Sequence, residues 1–274
     1  MNELLTNDFV NRVACESSDI AHAKKLLKQG ANPQAADQHG NTALHKAAKV
    51  GSIPLVEQLL QSKKCDVNAP NARGNTPVMI AATARHYELV ELLINEYNAS
   101  INVTNSRHMN LLHIICRYAS LDTMADALMC VKLLLDRNLS PLATTADGMN
   151  ALHVATVFSP STALLEVILS RAPEYVDTPT VEPMPPPIRR SSSSSLDLNF
   201  HDTSNGERRA SISPTHSQNL SANGFISTPG SVTCLYLACQ RGDLDFVRVL
   251  LRYGANPSAK WYEYYTMLNV KYHY

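Results

Sequence analysis

At 274 residues, with 24 lysines and arginines against 24 aspartates and glutamates, the chain carries no formal net charge. That balance argues against a dedicated nucleic-acid binder, which needs a basic excess to neutralise phosphates. No apolar run approaches the roughly 20 residues of a membrane span, and a hydrophobic share of 45% is enough for a packed core.

The opening stretch MNELLTNDFVNRVACESSD has neither the basic start nor the long apolar core of a secretory signal. The expected setting is therefore soluble and intracellular, cytoplasmic and/or nuclear, with no membrane or nucleic-acid partner. Cys15, Cys65, Cys116, Cys130, Cys234 and Cys239 form no CxxC pair and no zinc-spaced cluster with histidine. They read as reduced thiols, and no metal or cofactor is expected.

In chain order, residues 1–36 hold two short helical stretches, NRVAC and DIAHAKKLLKQGANP. From there one phrase recurs: TALHKAA at Thr42, TPVMIAA at Thr76, NLLHIIC at Asn110, NALHVAT at Asn150 and TCLYLAC at Thr233. A second phrase accompanies each, LVEQLL, LVELLI, CVKLLL, LLEVIL and FVRVLL. Each phrase has apolar residues at helical spacing but is too short to be stable alone in water. Stacked on copies of itself, the pair buries a continuous core. Gly51 and Gly242 fit a tight turn between the two helices, and Gly30 and Gly254 fit left-handed caps after the second.

These phrases resemble the ankyrin repeat, whose signature is G-x-TPLH-x-A-A, a short turn and a V-x-x-LL helix. The resemblance implies an all-α ankyrin-repeat solenoid of about five repeats plus a partial C-terminal repeat, with a long disordered insert. A degenerate capping repeat is expected over 1–36, with Lys24, Lys25 and Lys28 on its exposed end. Four repeats fill 37–176 and another fills 231–260. The third is long: RYASLDTMADALMCV predicts a longer first helix or an enlarged turn between helices. One small site recurs at Ala48, Ala82, Cys116 and Cys239, with Cys15 at the matching place in the capping repeat. Cysteine acts there as a small hydrophobe.

Residues 177–230 are rich in proline, serine and asparagine and too poor in apolar groups to offset ordering entropy. They are expected to be a disordered insert leaving the hairpin between repeats four and five. Ser192 and Ser211 each follow an arginine pair, the arrangement basophilic kinases favour. Ser213, Thr178 and Thr228 precede proline. A protein kinase is the partner this implies, with each phosphate adding about −1.5 to −2 charges. PMPPPIRR could form a polyproline II segment. At the far end, Thr266 has the register of a further turn, so 261–274 reads as a partial repeat or an aromatic tail. Either the chain is a fragment or variant of a longer protein, or the tail folds back as a cap.

No phosphate loop, GxSxG, HExxH or kinase signature is present, and the chain reads as a non-enzyme. His45, His113 and His153 recur at one position of the phrase. The resemblance assigns them to hydrogen bonds with the turn backbone, and roughly 10 Å between packed helices keeps them from sharing a metal.

The resemblance also implies a protein-binding face made of hairpin tips and first helices. Its tip positions are Gln38, His39, Asn41, Arg73, Asn75, Arg107 and Met109. Its helix positions are Lys49, Arg117, Tyr118, Phe158 and Arg241. Arginine and aromatics are the usual anchors of interfaces, so the expected partner is a protein segment that is acidic and partly apolar. The leading function is an adaptor or scaffold, regulated by phosphorylation of the insert at Ser192, Ser211 or Ser213. The alternatives are a substrate-recognition subunit like the ankyrin–SOCS-box proteins, though the chain has no such box, and an IκB-like inhibitor, though it lacks their N-terminal DSGxxS degron.

Overall fold

The structure is a computed structural model, and it describes residue 25 and residues 27–181 and 232–259. The described residues hold ten α-helices in pairs. The first members are α1 (Ala43–Val50), α3 (Pro77–Thr83), α5 (Leu111–Tyr118), α7 (Ala151–Phe158) and α9 (Cys234–Arg241). Their partners are α2 (Ile53–Gln61), α4 (Tyr87–Asn95), α6 (Met124–Asp136), α8 (Ala163–Arg171) and α10 (Leu244–Arg252). A short 3-10 turn, Pro173–Tyr175, follows α8. Among the described residues, the only β-bridge given is the isolated pairing of Ala36 with Thr42.

Packing follows the small residues. The first helices stack in chain order, α1 on α3, α3 on α5, α5 on α7 and α7 on α9. Ala48, Ala82 and Cys116 meet the neighbouring helix with no exposure at all, so nothing larger fits without moving a backbone. Cys239, at the same position in the last described repeat, is half-buried. Behind this row the second helices supply Leu59, Leu93, Leu134, Ile168 and Leu250, each fully buried. Among the described residues no helix is longer than 13 residues, so stability comes from stacking rather than from any helix alone.

Left-handed backbone marks turns within and after the helix pairs. Gly51 (φ 79°) and Gly242 (φ 72°) close α1 and α9, and Gly30 and Gly254 lie in the same region after the second helices. Among the described residues, five that are not glycine have positive φ: Lys63, Arg85, Asn98, His108 and Asn138. Arg85 stands where the other repeats have Gly51 and Gly242, and His108 stands where they have Gly40, Gly74 and Gly148. The turn persists without glycine because the surrounding stack imposes it, at a cost of about 1–2 kcal/mol per residue.

Repeat three takes the second of its two expected forms, an enlarged connection, and adds a longer second helix. Its first helix, α5, has eight residues, the same as α1 and α7. The extra chain lies in an enlarged connection over 119–123 and in α6, whose 13 residues exceed the nine of α2, α4, α8 and α10. Lengthening the outer helix leaves the inner row in register, and α6 packs against both α4 and α8.

The stack continues from α7 to α9 across residues 182–231. The Thr180 amide donates to the Val232 carbonyl at 2.8 Å, and the Val232 amide donates to Thr180 Oγ1 at 2.9 Å. Residues 177–181 thus belong to the fold, although their composition matches the insert. The remainder of the expected insert, the tail 261–274 and most of the capping stretch 1–36 lie outside the described residues.

Candidate protein-binding face

Each repeat begins with a hairpin finger, and in the first three one residue organises the tip. Asp37 Oδ1 accepts the amides of His39 and Asn41, both at 2.9 Å. Asn71 Oδ1 does the same for Arg73 and Asn75, and Asn105 Oδ1 for Arg107 and Met109, all at 3.0 Å. These are Asx turns, in which a short side chain replaces a missing backbone partner. Burial alone would raise the Asp37 carboxyl, but the Asn41 and His39 amides, the Asn41 side chain and Lys46 outweigh it and hold its pKa below the usual value. Lys46 Nζ lies 3.3 Å from Asp37 Oδ2.

The fingers are then tied to one another. Backbone bonds run from Ala72 to the His39 carbonyl (3.0 Å), from Ser106 to Arg73 (2.9 Å), from Ala146 to Arg107 (2.8 Å) and from Val181 to Gly148 (2.9 Å). Side chains add a ladder: Asn71 Nδ2 donates to Asn41 Oδ1 and Asn105 Nδ2 to Asn75 Oδ1, each at 2.8 Å. Sequence reasoning missed Asp37, Asn71 and Asn105. Their signal was available, since each lies five residues before the repeated Thr42, Thr76 or Asn110.

Two of the three recurring histidines, His45 and His153, hold one repeat to the next. The Thr42 amide donates to His45 Nδ1 at 3.2 Å, and His45 Nε2 lies 2.9 Å from the Asn75 carbonyl. An acceptor at Nδ1 puts the proton on Nε2, which donates across the repeat boundary. His153 repeats the arrangement, with Asn150 N–H on Nδ1 and Nε2 3.1 Å from the Val232 carbonyl. Burial pushes the His113 and His153 pKa values down to about 4 and lowers that of His45. The thiols show the same physics with opposite sign: burial pushes Cys116, Cys130 and Cys234 up to about 12 and Cys65 to about 11. Neutral thiols are poor nucleophiles.

The residues proposed for binding divide by what they touch. Gln38, His39, Arg73 and Arg107 are exposed on the tips, and Lys49 is exposed in the last turn of α1. Tyr118, 39% exposed, ends α5. Arg117 is half-buried, with its guanidinium 4.1 Å from the Phe158 ring centroid of the next repeat. Arg241 donates to the Thr156 carbonyl at 2.8 Å, covering the end of α7, and lies 4.9 Å from the Phe246 ring. Asn41 and Asn75 belong to the ladder. Met109 is buried and takes the place in the third finger that Asn41 and Asn75 fill in the first two. Ser192, Ser211 and Ser213 lie outside the described residues.

Among the described residues, no group of three His, Cys, Asp or Glu side chains is placed to hold a metal ion, and no helix is long and apolar enough to cross a membrane. The family model for ankyrin repeats (three copies) matches residues 12–105, and the model for a single ankyrin repeat matches residues 232–262. No curated protein matches the chain. The helix pairs α5–α6 and α7–α8, between the two matched regions, have the same finger backbone bonds and the same stacking as the pairs before them. With the signature phrases, the family matches and this geometry in agreement, the chain belongs to the ankyrin repeat proteins, whose repeats serve as protein–protein interaction modules.

Proposed function

We propose that the chain is a non-enzymatic adaptor or scaffold that holds a protein partner on its finger tips and the last turns of its inner helices. The observation that carries this reading is the division of labour within the first three fingers. Asp37, Asn71 and Asn105 spend their side chains on fixing the tip, while the adjoining His39, Arg73 and Arg107 are exposed. Pre-organised tips bind without losing backbone entropy on docking. Tyr118 supplies an aromatic anchor beside the Arg117–Phe158 stack. An acidic, partly apolar segment complements this surface.

Regulation by a kinase acting on Ser192, Ser211 or Ser213 fits the same reading. The segment holding these serines joins the stack at Val181 and Val232, at the fifth finger. New phosphate charge there would start from the row of fingers that carries Arg73 and Arg107. The cytoplasm or nucleus is the proposed setting.

The test is capture of partners from cell extract by the intact chain and by R107A/Y118A, with thermal melts of both. The reading expects the double variant to lose its captured proteins while its melting temperature stays within about 2 °C, as exposed positions allow. Undiminished capture, or loss of capture together with the fold, would overturn it.

A further inference from the structure

The finger ladder places one side chain per repeat at the same point of the tip. Those residues are His39, Arg73, Arg107 and Asp147, one position before Gly40, Gly74, His108 and Gly148 respectively. All four are exposed. Their alignment is set by the backbone: the carbonyls of residues 39, 73 and 107 each accept an amide from the next finger. The Asn71–Asn41 and Asn105–Asn75 bonds keep the first three fingers from sliding.

Each finger is two passes of chain, so one repeat advances by two strand spacings, about 10 Å. Packed helices below, about 8–10 Å apart, require the same advance. A peptide laid along the tips as a polyproline II helix rises about 3.1 Å per residue with three residues per turn, so side chains three apart lie on one face and each triplet passes one repeat. The sign of charge changes along the column, from Arg73 and Arg107 to Asp147. A uniform polyanion such as nucleic acid fits the first two positions and is repelled at the last.

We propose that this column reads a peptide in the polyproline II conformation by charge spacing. The peptide has an acidic side chain against Arg73, a second three residues on against Arg107, and a basic side chain three residues further against Asp147. The forked guanidinium suits a carboxylate in two-point contact. This deepens the adaptor reading and rests on it, since it names the chemistry of the segment that the tips accept.

The experiment is selection of a random twelve-residue display library on the full chain and on R73E/R107E. Peptides enriched on the parent should have Asp or Glu three residues apart, with Lys or Arg a further three along. Measured singly, they should bind R73E/R107E about tenfold or more weakly, and more weakly as salt rises. R73E/R107E should select Lys or Arg at the first two positions, and D147K should turn the third acidic. R73Q/R107Q, compared by thermal melt, separates lost charge from lost fold. Enrichment without this spacing, the same peptides on both chains, or no enrichment over bare support would overturn the proposal. If R107A/Y118A still loses its captured proteins in that event, the adaptor reading survives and the charge column alone is wrong.

Discussion

The second and fifth fingers solve one problem in two ways. The second is continuous: Asn71 folds its tip, and Asn41 and Asn105 clamp it on either side. The fifth is cut by residues 182–231, and its halves meet through Thr180 and Val232. Val232 also receives His153 from the repeat before, and Val181 bonds Gly148. A long excursion leaves the fold intact where both ends are tied to the preceding repeat. Each finger receives a buried imidazole from the repeat before, His45 on Asn75 and His153 on Val232, but the split finger adds the Thr180 hydroxyl where the continuous finger uses spare side-chain amides.

Acid should have the largest effect, and it should weaken both. His113 and His153 stay neutral in the fold down to about pH 4, whereas the unfolded chain takes up protons near 6.5. Between those values the unfolded state holds more protons, so stability falls as pH falls, by about 1.4 kcal/mol per pH unit for each histidine. The full stability is present above pH 6.5. Urea titrations from pH 7 to 4 should show this slope, and H153Q should reduce it. A flat profile would mean that the imidazoles are not buried as described.

Next comes Gly148. A Cβ there would overlap the Val181 carbonyl, at φ +73°, so Gly148→Ala should cost about 3 kcal/mol by clash and left-handed strain together. Gly74 has the same φ region but a nearest contact of 3.1 Å to the Ser106 amide. Gly74→Ala should cost only about 1–2 kcal/mol. Equal costs in urea unfolding would show that the split finger is no more tightly held than a continuous one.

His108 gives a smaller change of opposite sign. It occupies the left-handed tip at φ 56° where the neighbouring fingers have glycine, so His108→Gly should stabilise the third finger by about 1 kcal/mol. A lower denaturation midpoint would mean that its side chain contributes more than its backbone strain costs. The smallest effect is expected at the last described repeat. Leu244 and Leu251 are 63% and 38% exposed, whereas Tyr87 and Ile94, at the same positions of repeat two, are 2% and 0%. Leu244→Ser should change stability by under about 0.5 kcal/mol, against several kcal/mol for Tyr87→Ala. A large loss at Leu244 would show that something covers this end.

Much of the fold was legible because the repeat writes its physics several times. The glycine turns, the small stacking residues and the histidine bridges recur at fixed spacing, so each copy corroborates the others. Repeat three was read less well: a 13-residue stretch of mixed apolar residues has no mark saying where one helix stops, and packing against α4 and α8 places the surplus in α6. The binding face was legible only as a set of positions. Nothing in a single arginine distinguishes Arg241, which covers the end of α7, from Arg107, which extends from a tip. The carbonyl that Arg241 reaches belongs to a residue 85 positions away.

The sequence alone determined the repeating helix pair and the stacking of its copies, since local apolar periodicity and small residues suffice for both. The tertiary structure decided which charged groups are used up holding repeats together and where the chain re-enters the stack after its long excursion. Those outcomes depend on distances between residues far apart in sequence. Such distances exist only once neighbouring repeats have packed.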